Sequence, residues 1–118
     1  MAAIDNFPAY QMSPKIGEEV TVMPEERSHK TTTNRIATKF GTTPQAEGPD
    51  VKTSRVTVEV ETPATIPEAI GQLRGYRGPV YIAGTNQEAV KKALDATANT
   101  TVGVMDNQGN IVKRSTRK

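Results

Sequence analysis

Residues 55–61 alternate strictly between the apolar Val56, Val58 and Val60 and the polar Arg55, Thr57, Glu59 and Glu61. Side chains on extended backbone point to opposite faces in turn, so this run predicts a half-buried strand with its valines on one core and its polar residues in solvent. The next segments narrow the fold further. Thr65-Ile66-Pro67-Glu68 has the form of a capping box, and Ile66, Ala69, Ile70 and Leu73 recur at the spacing of one helix face. Gly75 and Gly78 end that helix. Pro79-Val80-Tyr81-Ile82-Ala83 is apolar without alternation, the pattern of a central strand covered on both faces. A second box, Thr85-Asn86-Gln87-Glu88, opens a helix with Ala89, Val90, Ala93, Leu94 and Thr97 inward, and Asn99 supplies a stop. Residues 101–105 and 110–113 flank the turn Asp106-Asn107-Gln108-Gly109 and read as an antiparallel hairpin. The expected fold class is α/β (α+β). Residues 51–118 form a compact two-layer β-α-β-α-β-β sandwich with both helices on one face and a basic C-terminal tail.

Residues 1–50 obey a different grammar. Pro8, Pro14, Pro24, Pro44 and Pro49 punctuate them, Ser28 to Asn34 is polar throughout, and no apolar period runs far. The reading is an extended arm with one short strand at residues 17–23, a weaker one at 35–40, and a Gly- and Pro-rich linker at 41–50. The whole chain is 118 residues with only 35% apolar side chains, enough for one small domain and an appendage. Such an arm buries too little apolar surface to offset its own ordering entropy.

Chemistry-bearing patterns are sparse. The chain has no Cys, which removes disulfides, thiolate nucleophiles and Cys-ligated zinc, and its single His29 has no second His to complete a metal site. Glu59 and Glu61 share a strand face, but the solvated side of an alternating strand accounts for them. Gly71 to Gly78 comes after a helix and before a strand, the reverse of the strand–loop–helix order that aims amides at a phosphate. Gly84, Thr85 and Asn86 do lie between strand and helix, and they are a candidate weak anion site at a helix N-terminus. No catalytic residue, metal ligand, cofactor or small-molecule substrate is expected, so the chain reads as non-enzymatic.

Charge is uneven. Residues 1–50 hold five bases against seven acids, whereas residues 51–118 hold ten bases against six acids. Four of those ten, Lys113, Arg114, Arg117 and Lys118, fall in the last six residues. They are a candidate contact to nucleic acid or to an acidic protein surface, although a solvated terminus looks the same. The order of elements over residues 55–114 resembles several small nucleic-acid-binding domains. Among these are the C-terminal domain of bacterial translation initiation factor three and the Alba chromatin proteins. That resemblance implies a nucleic-acid-binding or ribosome-associated protein using the basic tail.

The arm favours another reading. Small subunits with an extended arm and a compact α/β domain suit large particles such as virus capsids, where arms lace neighbours together. The first expectation is therefore a structural subunit of a large assembly, a capsid-associated or minor virion protein, bound to other subunits through residues 1–50. No apolar run is long enough to span a membrane and no secretory signal is visible, so cytoplasmic synthesis and incorporation into a virion or other particle are expected.

Overall fold

The computed structural model describes residues 24–118. In chain order the elements are α1 (Pro24–Lys39), β1 (Val51–Lys52), β2 (Thr57–Glu61), α2 (Ile66–Leu73), β3 (Val80–Gly84), α3 (Gln87–Ala96), β4 (Gly103–Met105) and β5 (Ile111–Lys113). One five-stranded mixed sheet runs in the order β1-β2-β3-β4-β5. β2, β3 and β4 are parallel, and the two edge strands pair antiparallel to their neighbours. The α+β class and the order strand, helix, strand, helix, strand, strand over residues 57–113 match the expectation.

The first half differs from its reading as an arm. Residues 24–39 form a helix, not an extended segment with a strand at 35–40, and the strand expected at 17–23 lies outside the described residues. The start and stop of α1 obey ordinary rules. Proline is tolerated in a first helical turn and acids are favoured there, as in Pro24-Glu25-Glu26. At the far end Gly41 adopts φ +72°, and the Thr42 amide donates to the Ala37 carbonyl while the Gly41 amide donates to that of Thr38. A left-handed glycine closing a helix in this way satisfies carbonyls that would otherwise be orphaned. Between these ends Thr32, Thr33, Ile36, Ala37 and Phe40 form the inward stripe, with threonine methyl groups standing where a stronger helix would carry leucines.

α1 adds a third layer. Register pairs Val58 with Tyr81 and Val60 with Ala83, and these four pack with Ile36, Ala37, Val51, Val56 and Met105. The opposite face joins Val80, Ile82, Val102 and Val104 to Ile66, Ala69 and Leu73 of α2 and Ala93 of α3. The valines of β2 therefore face α1, not α2 and α3, and the compact domain includes residues 24–50 as well as 51–118. Ile70, Val90 and Leu94, expected in the core, are only partly buried at its margin.

Candidate functional site

The polar face of β2 is covered. Glu59 and Glu61 retain only 8% and 7% exposure, so they are not the solvated face expected of them. The chain leading into β1 carries Asp50 past them. The Asp50 amide donates to Glu59 Oε1 at 3.4 Å, and Asp50 Oδ2 accepts from the Val60 amide at 2.8 Å. His29, one turn into α1, places Nε2 3.2 Å from the same Oδ2. A half-buried histidine, a buried glutamate and an aspartate thus share one network across three separate segments.

Their charges adjust to that crowding. The hydrogen bond to Asp50 raises the His29 pKa above its usual 6.5, against the opposing effect of burial. Burial pushes Asp50 up, but the hydrogen bonds from His29 and the Val60 amide outweigh it and hold the carboxyl low. Glu59 is pushed up to about 8, by burial first and then by its hydrogen bond to Asp50 and the charge there. Burial also raises Glu61, although a hydrogen bond from Thr65 opposes it. At neutral pH Glu59 therefore keeps its proton and Asp50 carries the charge. This arrangement ties α1 to the strand edge and makes the tie depend on protonation. Beside it lies an open cleft of about 450 Å³, bounded by Glu26, Glu61, Thr65 and Gln72. Among the described residues no group of His, Asp and Glu side chains has the geometry to hold a metal ion.

The expected anion site lies at the carboxyl ends of the parallel strands. Asn86, not Thr85, caps α3, its Oδ1 accepting from the Ala89 amide at 2.8 Å. Gly84 is a place of close approach: a Cβ there would stand 2.6 Å from the Val90 nitrogen, so only glycine lets α3 sit this near β3. The first box differs too. Thr65 makes no side-chain cap to α2, and its hydroxyl instead accepts from the Thr62 amide at 3.0 Å.

Two of the four tail cations are committed to the fold. Lys113 Nζ donates to the Thr97 carbonyl at 2.6 Å and the Val102 carbonyl at 2.9 Å, just past the end of α3. Arg117 Nη1 donates to the carbonyls of Leu73 at 2.6 Å and Tyr76 at 3.0 Å, at the end of α2. Each cation satisfies carbonyls where the helix dipole is negative. Between them Ser115 Oγ accepts from the Val80 amide and donates to the Thr101 carbonyl, strapping the terminus across the start of β3. Arg114 and Lys118 are exposed, and neither side chain has a partner among the described residues.

No family model, curated protein or solved structure matches the chain. No helix among the described residues is long and apolar enough to cross a membrane.

Proposed function

We propose that this chain is a non-enzymatic structural subunit of a large multi-subunit assembly, of the capsid-associated or minor-virion kind. In this reading residues 1–23 and the β5 edge are its contacts to neighbouring subunits. The observation that carries the reading is the state of β5. Ile111 and Val112 are 43% and 47% exposed, the large apolar side chains most open to solvent among the described residues. They are consecutive on an edge strand, so neither face of that edge is covered. An uncovered apolar edge is a template for pairing with another chain, which monomeric proteins ordinarily blunt. Residues 1–23 carry Pro8 and Pro14 and precede a domain that is already closed on both sheet faces, a composition that suits a tether between subunits.

Mass photometry of the full chain tests this, with and without residues 1–23 and with Ile111→Lys. Discrete high-mass species that both changes abolish would support the reading. A monomer of 12.7 kDa under every condition would reject it.

A nucleic-acid-binding role is the second reading, favoured by the unpartnered Arg114 and Lys118. Replacing both with Ala should flatten the salt dependence of binding by about one log–log unit per lost phosphate contact. These two variants leave the Lys113 and Arg117 caps intact, so weaker binding would not reflect unfolding.

A further inference from the structure

Two loops and one helix meet beyond the carboxyl ends of β3 and β4, on the α1 side of the sheet. They enclose a cleft of about 240 Å³ whose walls include Arg27, Thr32 and Arg35 of α1, Thr85 after β3, and Asn107 after β4. None of the residues lining it is acidic. The nearest loop carboxylate, Asp106, is turned into its own hairpin, where Oδ1 accepts from the Gln108 and Asn110 amides.

Two hydroxyls in this wall are buried and unused. Thr32 and Thr85 are 3% and 6% exposed, and neither side chain has a hydrogen-bond partner among the described residues. Thr33, its neighbour on α1, behaves as helical threonines usually do and bonds back to the His29 carbonyl at 2.7 Å. Thr32 does not. Thr85 is freed because Asn86 takes over the capping of α3. Buried hydroxyls are normally satisfied, and two that are not, in one wall, call for a ligand. The cations complete the set. Arg35 is steadied by donating Nη1 to the Asn107 carbonyl at 3.0 Å, and Arg27 has no partner among the described residues. They stand eight residues apart on one side of α1, flanking the hydroxyls.

We propose that this cleft binds a small phosphate-class oxyanion, inorganic phosphate or a phosphomonoester, through the guanidinium groups of Arg27 and Arg35 and the hydroxyls of Thr32 and Thr85. A tetrahedral dianion accepts from donors on several sides, as this set requires, and guanidinium is the cation best shaped to hold it. This inference stands apart from the assembly reading and does not depend on it.

The test is calorimetric titration of the full chain with inorganic phosphate at constant ionic strength, with chloride as the control. Saturable binding is expected, weakened about tenfold or more by Arg27→Ala and further by Arg27→Ala with Arg35→Ala. Thr32→Val and Thr85→Val should weaken it several-fold while leaving the melting temperature without phosphate unchanged or higher, since each removes an unsatisfied buried hydroxyl. A phosphomonoester such as phosphoserine separates the two sources, because tighter binding than inorganic phosphate assigns the site to esters. Absence of saturation, an equal response to chloride, or an affinity indifferent to Arg27→Ala would overturn the proposal. So would a short oligonucleotide that binds more tightly through the same arginines.

Discussion

The two faces of the sheet are sealed by different means. On one, α2 and α3 present Ile66, Ala69, Leu73 and Ala93 to Val80, Ile82, Val102 and Val104, an apolar contact with helical periodicity on one side and branched strand residues on the other. On the other, α1 offers only Ile36, Ala37 and part of Phe40, and polar groups supply the rest of its attachment. His29 reaches Asp50, Arg35 reaches the Asn107 carbonyl, and Lys39 Nζ donates to the Gly109 carbonyl at 3.0 Å. The apolar contact of α2 and α3 is itself indifferent to pH and salt to first order. The α1 face is a latch whose strength depends on protonation.

The largest effects should separate the two faces. Leu73→Ala, at a fully buried site, should cost about 3–5 kcal/mol and lower the midpoint of global unfolding. Ile36→Ala, equally buried, should cost about 2–4 kcal/mol but act first on α1, so that hydrogen exchange in α1 accelerates more than in β3. Equal acceleration in both elements would mean that the two faces melt as one unit.

Truncation after Val112 comes next. It removes the Lys113 and Arg117 caps and the Ser115 strap, and several hydrogen bonds at about 1 kcal/mol each predict a loss of about 3 kcal/mol in chemical denaturation. An unchanged midpoint would show that the C-terminal segment lies free. For the same reason a tail deletion cannot by itself diagnose nucleic-acid binding.

Particular residues explain why some of this is legible in the sequence and some is not. The alternation at 55–61, the stripe Ile66 to Leu73 and the turn at 106–109 each carry their own period or punctuation, and each marks the element it announces. α1 lacks a strong stripe because Thr32 and Thr33 take positions where apolar residues would advertise a helix. Its start at Pro24 and its stop at Gly41 are nevertheless in plain view. A second clue lies in Val80 to Ala83: a strand covered on both faces needs a cover on each, yet the two strongly periodic helices cover only one. The acidic cluster has no local signal at all. His29, Asp50 and Glu59 are distant in sequence, and only the folded chain brings them together, Asp50 bridging His29 of α1 to Glu59 on the opposite face of β2 from the valines. The docking of α1 encloses Thr32 and Thr85, so the oxyanion cleft is half legible, as the strand–helix junction at 84–86, and half hidden.

Protonation sharpens the comparison at a smaller scale. The native state holds the Glu59 proton to about pH 8, whereas the unfolded chain releases it near 4.5. Stability from this group is therefore fully present below about pH 4.5 and falls as pH rises to about 8. His29, raised above 6.5, adds stability that is full below that value and is lost as pH climbs through its native pKa. Asp50 acts oppositely, its contribution present above 3.8 and lost as pH falls through its lowered native value. Glu59→Gln should remove much of the slope between about pH 4.5 and pH 8 and stabilise the chain at about pH 8 by about 2–4 kcal/mol. A slope identical to wild type would remove Glu59 from the latch. At the bottom of the scale, Lys92→Ala breaks an exposed pair with Glu88 at 3.8 Å and should shift stability by no more than about 0.5 kcal/mol.

Residues 24–39 are a helix docked on the second face of the sheet by a protonation-dependent latch. Hydrogen exchange of the α1 amides in the full chain, corrected for intrinsic rates and compared at about pH 6 and about pH 9, tests it most directly. Slow exchange across residues 28–39 is expected at the lower pH and a marked loss of protection at the higher, while β3 stays protected at both. Exchange of α1 at unstructured rates at both pH values would contradict it.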